Sequence, residues 1–386
     1  MMNRLVGATL LLISVFNANG SIARYSEIGE DQVDRESVKV SNKILKNKKN
    51  LEFIQIGNQH THLIDIRAFG DSGWSWTHES PAMAPAFGEA LDDFSPSGEI
   101  YRGDINFMNW ESTIGYSCEQ WHAPYVRGRS YAFLAAPENI EQAIDRGIEN
   151  FSLSNNHTRD CLLNTDTDLN GQLTTIFYLN QISQTYPSLS FHGVSDQHKN
   201  KIKIITKNIK GINFKIAYAS YYTGRESCPH SVCAEDSEAI ISNFKSLDVD
   251  FKIMMIHSTG DQTKLVDVAH KFIKEANGDV VFGSGPHRWK PIRHVEKKDG
   301  FGIIFDSLGN FLHPSMAKKD KNIIARILVD PIKGTIAQAQ AISVSNYRDT
   351  ILPSPLSPKI IESNLDFTPK DILSNNELFK AMYFNF

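Results

Sequence analysis

Short runs rich in Val, Ile and Phe alternate with helical patterns from residue 63 onward, and this alternation predicts the secondary structure. Strands are predicted at residues 63–69, 105–110, 148–153, 215–219, 251–256, 280–282 and 302–305. A helix is predicted at 137–146, which opens on a proline, and another at 265–276, where apolar residues recur at spacings of three and four. Strands alternating with helices indicate an α/β fold.

The two ends of the chain differ from this central pattern. Arg4, an apolar run over residues 5–16 and small residues up to Ala23 predict a signal peptide at 1–23. An uncleaved anchor is the alternative, although the run is shorter than the roughly 20 residues that span a bilayer. Residues 24–60 are predicted to be a polar leader, 61–345 the folded domain and 346–386 a C-terminal tail.

No later segment has the pattern of a membrane span, so the mature protein is predicted to be exported, either to the periplasm or to the cell surface and the extracellular space. The chain has 386 residues, 41% of them hydrophobic and 22% charged, which excludes disorder throughout. Its net charge of −4 gives no general attraction for nucleic acid, and we therefore expect no nucleic-acid partner.

Four cysteines, an even number, favour disulfides if the chain is exported. Of the possible connectivities, we favour Cys118 with Cys161 and Cys228 with Cys233, because the second pair closes a short local loop. A zinc site formed by Cys228, His230 and Cys233 is the alternative, but it has no obvious fourth ligand.

Polar residues suited to metal binding directly follow several predicted strands. The carboxyl ends of parallel strands are where α/β sheets bind ligands, so these residues are expected to converge. Oxygen and nitrogen ligands without sulfur suit Mn, Fe, Zn or similar divalent ions. The strand-end residues are Asp71, Asn109, Glu111, Asn155, Asn156, His157, His257 and His287.

The order of these motifs resembles the CapA family, a branch of the calcineurin-like metallophosphatase superfamily. The similar segments are Gly70-Asp71, DINFMNWES at 104–112, SLSNNHTRD at 152–160, HGVS at 192–195, His257, GSGPH at 283–287 and DSLGNF at 306–311. This resemblance covers the chain from about Phe69 to Leu312. It implies a four-layer metallophosphatase-like sandwich, in which two packed mixed β-sheets are flanked by helices.

The resemblance also implies roles for individual residues. The implied metal ligands are Asp71, Glu111, Asn156, His257 and His287, holding one or two Mn, Fe or Zn ions. His157 would donate a proton to a leaving group. Asn109, Asn155, Asp160 and Asn310 are further candidates for the same site.

The implied function is capsule biosynthesis, by assisting the synthesis, export or surface retention of poly-γ-glutamate or a related polymer. The expected partner is an anionic capsule polymer or its synthesis machinery. A metal-dependent phosphoesterase acting outside the cytoplasm is an alternative, and an inert polymer-binding protein is another. Gly285 and Gly73 stand where relatives carry histidines, which weakens the expectation of two metal ions and of hydrolysis.

Overall fold

We describe the fold from a computed structural model of the whole chain. The described residues are 62–347, apart from 74, 78–85, 119, 122–131, 165–168, 225–227, 261 and 314–320, together with segments 350–353, 370–371 and 381–385. The predicted signal peptide at 1–23, the leader up to residue 60 and most of the tail lie outside these residues.

The elements are labelled in chain order. The strands are β1 (Ile64–Ser72), β2 (Ser75–Thr77), β3 (Ile105–Trp110), β4 (Thr113–Ile114), β5 (Gln120–Trp121), β6 (Phe133–Ala135), β7 (Asn150–Ser152), β8 (Cys161–Asn164), β9 (Leu169–Asn170), β10 (Ser190–His192), β11 (Lys203–Ile209), β12 (Ile212–Tyr222), β13 (Phe251–His257), β14 (Val280–Ser284), β15 (Ile292–Lys297), β16 (Gly300–Phe305), β17 (Lys321–Asp330), β18 (Thr335–Tyr347), β19 (Thr350–Pro353), β20 (Lys370–Asp371) and β21 (Ala381–Asn385). The α-helices are α1 (Phe87–Phe94), α2 (Glu138–Ile144), α3 (Gly171–Thr185), α4 (Ser237–Lys245) and α5 (Gln262–Glu275). Every strand and helix predicted above is present, with ends that differ by a few residues.

Two large mixed sheets form the centre of the molecule. In the described part of the chain, sheet 1 has the order β10-β7-β3-β1-β17-β18-β21-β20, with β19 also paired to β18. Sheet 2 has the order β11-β12-β13-β14-β16-β15. Strands β1, β3 and β7 run parallel in sheet 1, and β12, β13, β14 and β16 run parallel in sheet 2. Each sheet therefore gathers several strand carboxyl ends at one edge.

A continuous apolar core lies between the two sheets. Alternate side chains of each strand point into it, as the period of two in a strand requires. Ile66, Phe107 and Ile327 of sheet 1 belong to the same buried cluster as Ile253 and Phe282 of sheet 2. The two sheets are therefore packed face to face.

Helices cover the outer faces of the sheets. Phe272 of α5 and Phe244 of α4 pack with Met254 of β13 in a second buried cluster on the outer face of sheet 2. On sheet 1, Phe87 of α1 packs edge-on against Trp110 of β3, with ring centroids 5.2 Å apart. The helix–sheet–sheet–helix order confirms the predicted four-layer sandwich. No helix in the described part of the chain has the length and apolar character of a membrane span.

Strands from the region beyond residue 345 join sheet 1. Strand β18 continues to Tyr347, and β21 pairs with β18 from Gln338↔Asn385 to Ile342↔Ala381. The described tail strands thus extend the sheet of the predicted domain. The domain limits proposed from the sequence stay predictions.

The structure contains one of the two favoured disulfides. Cys118 is bonded to Cys161, linking the segment after β4 to the first residue of β8. Cys228 and Cys233 are both buried free thiols, so the favoured second disulfide is not formed in the structure. Burial and a hydrogen bond with Cys228 raise the pKa of Cys233, which keeps it in the neutral thiol form.

Candidate metal centre

Four of the predicted ligands lie at or just after the carboxyl ends of four strands. Asp71 is the next-to-last residue of β1, Glu111 directly follows β3, His257 ends β13, and His287 lies three residues after β14. Asp71 and Glu111 come from sheet 1, whereas the two histidines come from sheet 2. The side chains meet where the carboxyl ends of both sheets adjoin, as the strand-end pattern predicts.

Asp71, Glu111 and His257 form the innermost group, and the side chains of all three are completely buried. His257 Nδ1 is 3.5 Å from Asp71 Oδ1, and His257 Nε2 is 3.4 Å from Glu111 Oε1. Their ligand atoms lie within 4.8 Å of one another, a separation that one metal ion can bridge.

A second group shares Glu111 and adds His287 and His313. His313 Nε2 is 3.5 Å from Glu111 Oε2, and His287 Nδ1 is 3.9 Å from the same oxygen. The two imidazole rings are stacked with centroids 5.4 Å apart. The two carboxylate oxygens of Glu111 therefore face different histidines. Oε1 lies near His257, and Oε2 lies near His287 and His313. The sequence analysis missed His313; the signal was its place two residues after the DSLGNF segment.

The backbone explains why no histidine stands at position 285. Gly285 has φ +109°, and a Cβ there would lie 2.3 Å from the carbonyl oxygen of Ser258. Its N–H instead donates a hydrogen bond to Asp71 Oδ2, with a length of 3.0 Å. A side chain at 285 is thus incompatible with this loop.

Position 73, where a histidine was also expected, is a glycine, but His313 brings an imidazole into the same region. Gly73 N–H donates to the carbonyl of Leu312, at 2.8 Å, and Leu312 immediately precedes His313. The segment that brings His313 to Glu111 is therefore fixed to the backbone beside Asp71. The two departures from the relatives leave a cluster that still contains three histidines, two carboxylates and an asparagine.

Asn109, Asn156, Asn310 and Ser284 hydrogen-bond to the ligand side chains. Asn109 Nδ2 donates to Asp71 Oδ1 at 2.8 Å, and Asn156 Oδ1 accepts from His257 Nε2 at 2.7 Å. Asn310 Oδ1 accepts from His287 Nδ1 at 2.8 Å. Ser284, a residue that sequence reasoning missed, lies 2.9 Å from His257 Nδ1. These contacts fix the orientation of the imidazole rings.

His157 and Asp160 form a pair beside the cluster. His157 Nδ1 is 2.5 Å from Asp160 Oδ2, which also accepts the N–H of Phe133. His157 Nε2 faces Glu111 Oε1 at 4.0 Å, and 12% of the His157 side chain is exposed. The imidazole is therefore held by a carboxylate on one nitrogen and directed toward the ligand cluster by the other.

Asn155 differs from the other candidates because its polar atoms bond to backbone groups. Its Nδ2 donates to the carbonyl of Trp110 at 2.7 Å, and its Oδ1 accepts the N–H of His157 at 3.0 Å. Asn155 thus holds the loop that carries Asn156 and His157 against the end of β3.

The charges in the cluster are strongly coupled. Burial would raise the pKa of Asp71, but hydrogen bonds with His257 and His287 hold it well below its ordinary value. Burial and the charge of Asp71 raise the pKa of Glu111 well above its usual range. Burial lowers the pKa of His287, yet Glu111 and Asp71 outweigh this effect and raise it to about 10. Burial lowers the pKa of both His257 and His313, which favours the neutral imidazoles that bind metals.

The residues present fit a divalent cation. Both carboxylate oxygens of Glu111 are fully buried and have no hydrogen-bond partner in the described residues. A buried carboxylate without a donor is costly, and a cation in contact with it removes that cost. His287 also has φ +56°, an uncommon conformation for a residue other than glycine. Such strain is typical of functional positions.

The architecture and the site define a class of protein: a four-layer α/β sandwich with a group of divalent-metal ligands where its two sheets adjoin. The family model of the bacterial capsule synthesis protein PGA_cap matches residues 65–315. The chain belongs to this family of capsule synthesis proteins, in agreement with the resemblance drawn from its motifs.

Comparisons with individual proteins add distant structural similarities. A phosphatase from Mycoplasma pneumoniae is 11% identical, with a TM-score of 0.46, and the match covers 73% of this chain and 94% of that one. A hypothetical protein from Thermus thermophilus is 11% identical with a TM-score of 0.42, covering 73% and 100% of the two chains. GAP50, the anchor in the inner membrane complex of Plasmodium, is 10% identical with a TM-score of 0.34, covering 79% and 91%. No curated protein matches the sequence.

Proposed function

We propose that this protein acts outside the cytoplasm in the synthesis, export or surface retention of a capsule polymer such as poly-γ-glutamate, through a divalent metal held by Asp71, Glu111, Asn156, His257, His287 and His313. The observation that carries the proposal is the buried carboxylate of Glu111, which has histidine nitrogens 3.4 and 3.5 Å from its two oxygens. The disulfide between Cys118 and Cys161 supports an oxidising location.

The chemistry of the site favours phosphoester hydrolysis as the reaction within this role. A divalent ion bound there would neutralise developing negative charge and lower the pKa of bound water. His157 is the group suited to donate a proton to a leaving oxygen, because it lies 4.0 Å from Glu111 and is partly exposed. Asp160, 2.5 Å from His157 Nδ1, would keep Nε2 directed at the substrate.

The proposal is tested by metal analysis, hydrolysis and capsule formation in parallel. We expect the wild-type chain to contain close to one or two equivalents of Mn, Fe or Zn, and the His257→Ala variant to contain little. His157→Ala should keep its metal but hydrolyse bis-p-nitrophenyl phosphate at least about 100-fold more slowly. Both variants should lose capsule formation in a strain that lacks the wild-type protein.

Each measurement has an outcome that contradicts the proposal. Absence of metal after reconstitution with Mn, Fe and Zn would overturn the metal centre. Metal binding without hydrolysis, together with normal capsule formation by His157→Ala, would reject hydrolysis and favour a polymer-binding role. Normal capsule formation by both variants would reject a role for this site.

A further inference from the structure

Three aromatic side chains gather on the surface between the segment after β4 and helix α3. Tyr116 and Phe177 are 54% and 55% exposed. Each packs edge-to-face against Tyr178, with ring centroids 5.3 and 5.2 Å apart. We call Tyr116, Phe177 and Tyr178 the aromatic patch. Single exposed apolar residues are ordinary, but a contiguous exposed group is typical of a binding surface.

Helix α3 does not need Phe177 for its own packing. The helix buries Thr175, Ile176 and Leu179, whereas Phe177 shares the exposed side with Asn180 and Gln181. An exposed phenylalanine gains little within the folded monomer, because its apolar surface stays in water. The gain would come from a partner that covers the ring.

The backbone around the aromatic patch is well fixed. Thr175 Oγ1 of α3 accepts the N–H of Ile114 at 3.0 Å. Tyr178 lies directly over Gly115, where an added Cβ would be 3.6 Å from its Cε2 atom. Two residues beyond Tyr116, Cys118 is held by the disulfide to Cys161. The rings are therefore positioned before any partner binds, which reduces the entropic cost of binding.

Acidic groups adjoin the aromatic patch. Tyr116 donates a hydrogen bond of 2.6 Å to Glu138 Oε1, and this hydrogen bond, burial, and the charges of Glu138 and Glu141 raise the pKa of Tyr116 to about 12. Glu138 Oε2 is buried and has no hydrogen-bond partner in the described part of the chain. The exposed rings therefore lie beside the carboxylates of Glu138 and Glu141.

The aromatic patch is connected to the rim of the metal centre. Thr113, three residues before Tyr116, donates from Oγ1 to the carbonyl of His157 at 3.2 Å. The segment that carries Tyr116 is therefore bonded to the loop that carries His157.

We propose that the aromatic patch binds a saccharide chain that carries amino sugars. The C–H faces of sugar rings pack on exposed aromatic rings, and an ammonium group would be attracted by the negative charges of Glu138 and Glu141. A polyanion such as poly-γ-glutamate would be repelled by the same carboxylates. Binding to this surface does not depend on catalysis at the metal centre.

Titration of the full chain with a glucosamine tetramer, followed by calorimetry, tests the proposal. We expect binding to the wild type, at least about tenfold weaker binding to Phe177→Ala, and a clear loss for Glu138→Gln. The matched control is Ile332→Ala, which removes an apolar side chain that is 87% exposed at another place, and its affinity should be unchanged. His257→Ala should also bind normally, which separates this site from the metal centre.

The proposal is overturned if the tetramer does not bind, or if Phe177→Ala and Ile332→Ala bind it equally well. It is also overturned if an oligomer of γ-glutamate binds the patch more tightly than the glucosamine tetramer and Phe177→Ala removes that binding.

Discussion

His313 lies 3.5 Å from Glu111 Oε2, and the segment that carries it is hydrogen-bonded to the backbone beside Asp71. The imidazole of His313 therefore lies beside one carboxylate oxygen of Glu111, and His257 lies beside the other oxygen. Glu111 is therefore the side chain common to both groups of candidate ligands.

Replacing Glu111 by Gln should have opposite effects on stability with and without metal. Without metal, the variant should be more stable than the wild type by about 1–3 kcal/mol, because a buried carboxylate lacking hydrogen-bond donors is removed. With metal at about 100 times its dissociation constant, the wild type should gain about 2.7 kcal/mol and the variant little. Urea unfolding with EDTA and with Mn checks both signs. Glu149→Gln, away from the site, should retain the metal response; a metal response retained by Glu111→Gln would contradict the assignment.

Gly285→Ala should be much more destabilising than Gly260→Ala. Both glycines have positive φ, +109° and +90°, but an added Cβ meets Ser258 at 2.3 Å in the first and nothing within 4 Å in the second. We expect the free energy of unfolding to fall by about 1 kcal/mol in Gly260→Ala, from backbone conformation alone, and by more than about 3 kcal/mol in Gly285→Ala. Chemical denaturation measures both losses, and similar values for the two variants would show that the close approach to Ser258 is absent.

His192 should make stability depend on pH in the acid range. Burial lowers its pKa from 6.5 to about 4. Its Nδ1 accepts the N–H of Ser220, so the folded protein holds the neutral ring. The stabilisation that the neutral His192 ring gives the folded state is therefore complete above pH 6.5 and is lost as the pH falls to about 4. This loss amounts to about 3 kcal/mol, and His192→Asn should reduce the slope of unfolding free energy over that interval. Parallel slopes for the two proteins would contradict a buried neutral histidine.

The disulfide between Cys118 and Cys161 should stabilise the chain by restricting its unfolded state. The two cysteines are 43 residues apart, and closing a loop of that length is worth about 4 kcal/mol in the entropic account. Replacing both by Ser should lower the free energy of unfolding by about 2–4 kcal/mol. A reductant should destabilise the wild type by a similar amount and leave the double variant unchanged. If the reductant also destabilised the variant, another disulfide would be responsible.

The strands that form the inner parts of both sheets could be predicted from the sequence because they are continuous apolar runs. Residues 105–110 are buried at every position, and the prediction for β3 has the bounds of the strand itself. Strands β17 and β18, which are 10 and 13 residues long, were not predicted, because the charged Arg326 interrupts the apolar run of the first and Gln338 and Gln340 interrupt that of the second. These polar side chains are buried, with Arg326 bonded to Asp65, and local pattern gives no sign of such long-range pairing.

The candidate ligands were predictable where a residue type and a strand end coincide. Asp71, Glu111 and His257 meet both conditions, and the structure brings them together. His313 does not follow a strand, and its approach to Glu111 depends on the backbone bond between Gly73 and Leu312. The sequence alone indicates that Gly73 and Gly285 remove two metal ligands. It does not reveal that the N–H of Gly285 bonds to Asp71, or that the segment bonded to Gly73 brings His313 to Glu111.

Sheet 1 joins the two ends of the described chain, because β1 lies between β3 and β17 in it. Beyond the pairing of β1 with β17, which runs from Ile64↔Val329 to Ala68↔Ala325, Asp71 pairs with Asn310 from a distant part of the chain. Contacts of such long sequence separation form slowly. The ligand set is consequently incomplete until the chain has been made as far as His313 and the segment before β17 has returned to the end of β1.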